Sequence, residues 1–131
     1  MKKITLALVT AALLFGVTLV GVSSPAEASG GDATIRTGNC SGRADWKIKA
    51  KPRDGGIEVE FEVDSNRNGQ AWNYTLRHNG VVLSRGTRTT HAPSGSFSVE
   101  RRAANTVGPD SFVGTSTNVR TGQTCRGTVT I

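Results

Sequence analysis

The sequence predicts an all-β fold, an immunoglobulin-like antiparallel β-sandwich of about seven strands. Three observations predict it. Past residue 28 no apolar spacing of helical period occurs; apolar residues fall instead at alternate positions. Turn signals recur at a nearly even interval: Asp54-Gly55-Gly56, Asn66 to Gly69, Asn79-Gly80, Pro93-Ser94-Gly95, Asn105 to Asp110 and Thr121-Gly122. Turns spaced in this way bound about seven short strands.

Taken in chain order, the first element is an expected signal peptide, residues 1–28. Lys2 and Lys3 precede an apolar stretch from Ile4 to Val22, which Ser23, Ser24 and Pro25 break. Ala26-Glu27-Ala28 then offers the small-x-small site of a signal peptidase. No twin-arginine pair precedes the apolar stretch and no cysteine stands at the cleavage site, so the general secretory route without a lipid anchor is expected. Residues 29–131 then form a single β-sandwich domain, secreted, extracellular or cell-wall associated, with no membrane span after cleavage. Removing Lys2, Lys3 and Glu27 with the leader lowers the net charge from +6 to +5. A chain of this size can enclose one modest core and not two.

The first hairpin can be read residue by residue. Trp46, Ile48 and Ala50 alternate with Lys47, Lys49 and Lys51; after the turn, Ile57, Val59, Phe61 and Val63 alternate with Glu58, Glu60 and Glu62. With Asp54-Gly55 as a two-residue turn, Lys51 faces Glu58, Lys49 faces Glu60 and Lys47 faces Glu62. On the other side Ala50 meets Val59, Ile48 meets Phe61 and Trp46 meets Val63. A slip of one residue would turn the apolar set into water. The second hairpin centres on Asn79-Gly80 and is expected to bring Leu76 opposite Leu83 and Tyr74 opposite Arg85. Ser111 to Ile131 reads as two more strands around Arg120 to Gln123, with Cys125, Gly127, Val129 and Ile131 on one side.

Cys40 and Cys125 are the only cysteines. In an exported chain such a pair becomes a disulfide. It would close a loop of about 86 residues, which the chain-entropy relation values at roughly 4–5 kcal/mol. A metal site would need more ligands close by, and none flank either thiol.

Chemistry is sparse. Each of Glu58, Glu60 and Glu62 has a lysine opposite and belongs to the polar side of its strand, so these carboxylates are expected to stay ionised and solvated rather than to act as an acid–base pair. His78 and His91 sit beside turns, outside any nucleophile motif, and read as surface histidines. Asp64-Ser65-Asn66-Arg67-Asn68-Gly69 matches the opening of a calcium loop, but Thr75 occupies the twelfth position, where a bidentate carboxylate belongs. Asp, Asn and Gly also fill such stretches for turn reasons alone. No metal, cofactor or catalytic group is expected, and the chain reads as no enzyme.

Charge is more informative. Residues 29–76 balance bases against acids, whereas residues 77–131 hold Arg77, Arg85, Arg88, Arg101, Arg102, Arg120 and Arg126 against Glu100 and Asp110. Guanidinium groups bind phosphate and carboxylate in bidentate fashion, so these seven are the candidates for binding an anion. Nucleic acid is disfavoured, since no aromatic residues interleave the arginines to stack on bases.

The stretches Gly38-Asn39-Cys40-Ser41-Gly42, Trp46-Lys47-Ile48-Lys49, Glu58 to Asp64, Ser94 to Val99 and Thr121 to Gly127 together resemble a group of small secreted proteins from high-GC Gram-positive bacteria. The resemblance implies export, one disulfide and a β-sandwich, and no site residues. A fainter likeness is to secreted immunoglobulin-like carriers of the neocarzinostatin type. Those carry two disulfides and an acidic balance, and this chain departs on both. The expected function is a non-catalytic binding or envelope-associated module whose arginine-rich half docks an anionic cell-wall polymer or an acidic protein. The alternative is a secreted enzyme inhibitor, recognisable by a rigid exposed loop, or a small-ligand carrier, recognisable by an apolar cleft near Trp72 and Tyr74.

Overall fold

The structure, a computed structural model, describes residues 31–131. The expected signal peptide, residues 1–28, lies outside them. Eight strands follow one another with no helix among the described residues: β1 (Thr34–Asn39), β2 (Asp45–Arg53), β3 (Gly56–Asp64), β4 (Ala71–His78), β5 (Val81–Thr89), β6 (Ser96–Ala104), β7 (Ser111–Asn118) and β8 (Thr124–Thr130). They form two four-stranded antiparallel sheets, ordered β1-β2-β3-β6 and β5-β4-β7-β8.

The all-β expectation holds, and the count of about seven becomes eight. The uncounted bend lies between β1 and β2, where the Cys40 amide donates to the Ala44 carbonyl. Without it, residues 29–53 read as one segment.

The β2–β3 hairpin has the register expected on both sides: Lys51, Lys49 and Lys47 face Glu58, Glu60 and Glu62, while Ala50, Ile48 and Trp46 face Val59, Phe61 and Val63. Asp54 and Gly55 have φ of 50° and 75°, and Asn79 and Gly80 have 47° and 83°. Both loops therefore turn through the left-handed region that Asp-Gly and Asn-Gly tolerate, which matches the twist of the flanking strands.

The β4–β5 register differs from expectation. His78 faces Val81 and Arg77 faces Val82, but Leu76 then faces Ser84 and Tyr74 faces Gly86. Leu83 is the extra residue of a β-bulge. It packs against the core, and Ser84 beside it shares a 2.9 Å hydrogen bond with the Tyr74 hydroxyl. Satisfying that phenol favours the bulge over the even pairing, which would set Arg85 on the inward side opposite Tyr74.

Between the sheets lie Ile48, Val59, Phe61, Val63, Trp72, Leu76, Val99 and Phe112, each almost completely buried. Each fully buried aliphatic or aromatic side chain contributes about 1.5–3 kcal/mol relative to exposure. The Phe61 ring of β3 lies against Gly114 of β7, so close that a Cβ there would fall 2.5 Å from a ring carbon. Cys40, just after β1, is bonded to Cys125 in β8, an 85-residue separation that links one sheet to the other. The Ser41 amide donates to the Thr124 carbonyl, and the Thr124 amide to Ser41 Oγ, closing the same side.

Candidate anion-binding face

Strand alternation sorts the arginines. β4, β5, β7 and β8 contain four arginines and no acidic residue. Side chains of Trp72, Leu76, Phe112, Cys125 and Val129 turn inward, so their neighbours turn out. Reading across the ladders, Arg85 pairs with Thr75, Thr75 with Thr115, and Thr115 with Arg126, giving one outward row with a guanidinium at each end. Three strand spacings separate its ends, roughly 14 Å. The row on one side is Thr87, Asn73, Thr117 and Thr124; that on the other is Val82, Arg77, Val113 and Thr128. Arg77, Arg85 and Arg126 are thus brought onto one exposed sheet face, set among threonine hydroxyls that can donate or accept. The Thr87 hydroxyl already donates to Asn73 Oδ1 at 2.7 Å.

The other four candidates lie elsewhere. Arg88 shares the inward side of the edge strand β5, its guanidinium 5.9 Å from the centre of the Tyr74 ring. Arg101, on the same side of β6 as Phe97 and Val99, bonds the Glu100 carbonyl at 2.7 Å. Arg102 faces Glu58 and donates to the carbonyls of Arg53 and Asp54, both at 2.8 Å. Arg120 stands in the β7–β8 turn, where Asn118 Oδ1 accepts from its amide and from that of Thr121. The seven arginines therefore form no single face; three do.

The outer face of the first sheet is built differently. Lys47 lies 3.9 Å from Glu60 and 3.8 Å from Glu62, and Arg53 lies 3.1 Å from Glu58. These exposed pairs add little to stability, but they cancel the charge locally.

His78 corrects the surface reading. Its Nε2 lies 2.6 Å from Asp110 Oδ1, its ring stacks on Phe112 at 4.6 Å, and its side chain is only 14 % exposed. Burial alone would raise the Asp110 pKa, but hydrogen bonds from the Thr106 hydroxyl and amide and from His78, with the His78 charge, outweigh it and hold the carboxyl below its ordinary value. The Thr106 hydroxyl donates to Asp110 Oδ1 at 2.7 Å, the oxygen that also meets His78. A catalytic triad would place a hydroxyl on the imidazole; here both groups converge on the carboxylate. The cluster ties the β6–β7 loop to β4, while Asp110 and Ile131 exchange main-chain hydrogen bonds at 2.8 and 2.9 Å. Nothing in the sequence marks this link, which spans 32 residues. His91 stays exposed, with Nδ1 at 3.1 Å from the Ser96 carbonyl.

In the Asp64–Gly69 stretch, Asp64 Oδ1 accepts from the Asn66 amide at 2.9 Å, the bond of an Asx turn, and Asn66 has φ 60°. Ser65 is buried, its hydroxyl donating to the Arg67 and Gly95 carbonyls. These bonds account for the residue choice in terms of a turn. Trp72 and Tyr74 belong to the core against Phe97 rather than to a cleft.

The chain was compared with known proteins on this footing: no protein-family model, no curated protein and no solved structure matches it.

Proposed function

We propose that the protein is a secreted, non-catalytic module that docks an anionic cell-wall polymer on the outer face of the β5-β4-β7-β8 sheet. In this reading it is one of the small secreted, one-disulfide sandwiches of high-GC Gram-positive type that its sequence resembles, with an immunoglobulin-like arrangement. The observation that carries the proposal is the sheet of four arginines without an acid, three of them on one exposed face. Repeated phosphate or carboxylate groups would meet Arg85 and Arg126 from one row and Arg77 from the next, while threonine hydroxyls bridge between them. The crosslink fits an oxidising compartment outside the cytoplasm. No described helix is long and apolar enough to cross a membrane.

The test is co-sedimentation with isolated Gram-positive cell wall at low and high salt. Binding should weaken as salt rises and should fall in an Arg85→Ala, Arg126→Ala double variant, with Arg102→Ala as the control that leaves it unchanged. Salt-insensitive binding, or equal loss in the control, overturns the reading.

A second reading, a secreted enzyme inhibitor, is favoured by one feature. Val107 is fully exposed at the tip of the β6–β7 loop, and the Asp110 hydrogen bonds brace that loop at its base. A rigid loop loses little freedom on binding. Inhibition of a secreted protease by the wild type and not by Val107→Asp would decide for it.

A further inference from the structure

We propose that the free edge of β5 is a strand-addition site for an extended acidic polypeptide segment. The inference rests on main-chain geometry and stands apart from the polymer reading.

Strand β5 is the outermost strand of its sheet. The Thr90 amide donates to the Gln70 carbonyl, so Gln70 and Thr90 form a hydrogen-bonded pair of the ladder. Antiparallel ladders alternate. Trp72–Arg88 and Tyr74–Gly86 are therefore bonded pairs, and Ala71–Thr89, Asn73–Thr87 and Thr75–Arg85 are not. The Val119 amide donates to the Ala71 carbonyl, which confirms that Ala71 turns its main chain toward β7 and away from β5. It follows that Arg85, Thr87 and Thr89 point their N–H and C=O groups away from β4. All three residues are exposed.

Sheet edges are normally blunted by Pro, Lys, inward charge or a bulge. From Ser84 to Thr89 β5 carries no Pro, Lys or acid; its one inward charge, Arg88, lies over the Tyr74 ring, and its bulge at Leu83 lies before the regular part. The β8 and β6 edges are each engaged at one point: the main chain of Thr124 bonds Ser41, and the Glu100 carbonyl is taken by Arg101. An added strand would take three main-chain donors and three acceptors from Arg85, Thr87 and Thr89, with its side chains alternating between the two faces. On the outer face they would fall beside Arg85, and on the inner side beside Arg88. Two copies of this chain paired through β5 would gather four guanidiniums at one seam without an acid in any strand of the sheet. Charge therefore selects an acidic partner strand over a second copy.

The probe is an eight-residue peptide alternating valine and glutamate, added to the intact, disulfide-bonded protein and followed by amide NMR. The amides of Arg85, Thr87 and Thr89 should shift and exchange more slowly. Thr87→Pro removes the central donor at a position where β4 does not use it and should weaken binding about tenfold or more. Should Thr87→Pro fail to fold, Arg85→Glu with Arg88→Glu takes its place and should bind a peptide alternating valine and lysine in preference to the acidic one. A peptide alternating proline and glutamate should not bind. Equal binding of the proline peptide, shifts spread over Arg77 and Arg126 instead of β5, or self-association through β5 that the acidic peptide does not compete away would each overturn the proposal. Cell-wall binding by Thr87→Pro separates the two readings, since it depends on side-chain charge alone.

Discussion

The two outer faces of this sandwich are made from the same period-two rule and reach opposite electrostatic ends. On the β1-β2-β3-β6 sheet, Lys47, Lys49 and Lys51 oppose Glu62, Glu60 and Glu58, so each cation has an acid across the ladder. On the β5-β4-β7-β8 sheet, Arg77, Arg85 and Arg126 have threonine, valine or asparagine as their outward neighbours and no acid in any strand. Paired charges specify the register of a hairpin. Unpaired charges of one sign add nothing to register and are free for a partner. Net charge is therefore a poor guide to a surface: the strands of the first sheet hold seven bases against four in the second, and yet six acids in the same strands nearly cancel them.

The arginine face should respond most strongly to substitution. Arg85→Ala with Arg126→Ala should lower affinity for an anionic polymer roughly tenfold or more at low salt, measured by co-sedimentation, while Lys49→Ala on the opposite face should leave it within error. If both substitutions act alike, the distinction between the faces is lost.

Next in size is the contact that joins the sheets. Gly114→Ala would drive a methyl group into the Phe61 ring, and a destabilisation of about 1–3 kcal/mol is expected in chemical denaturation. Polymer binding by the folded fraction should be unchanged, which would place stability in the core and binding on the face.

Asp110→Asn removes the anion from the cluster with His78 and Thr106. A loss of about 1–3 kcal/mol at neutral pH is expected. The Asp110 pKa is lowered in the folded state, so the stabilisation is present above the ordinary carboxylate range, near pH 4, and is lost as pH falls through the lowered value. Wild-type denaturation midpoints should therefore drop on acidification, and the difference from Asp110→Asn should shrink. A constant gap down to low pH would contradict the assignment.

The smallest effect belongs to the paired face. Lys47→Ala abolishes contacts to Glu60 and Glu62 and should cost about 0.2–1 kcal/mol, reduced further by salt.

What was legible in the sequence follows the same division. The β2–β3 register could be read because two constraints act at once, apolar residues on one side and opposite charges on the other. The β4–β5 register could not, because the bulge at Leu83 is favoured by the Tyr74–Ser84 hydrogen bond, which leaves no local pattern. The bend after Asn39 did carry turn residues, Ser41 and Gly42, but Ile35 is the lone apolar residue in β1, and one residue makes no alternation. The arginines were visible as a group. Their division into an outward trio and four others waits on which side of each strand faces the core. His78 and Asp110 meet only because the β6–β7 loop folds back over the end of β4, a contact that residue types alone do not announce.

The Cys40–Cys125 bond has a consequence for survival in a protease-rich medium. It lies near both ends of the described chain, so a single cut in any loop between the two cysteines, such as the exposed Asn66–Gly69 stretch, yields pieces that stay covalently attached. Such a nicked molecule would run as one band without thiol and as two after reduction, and its sheets would remain aligned to re-form their hydrogen bonds.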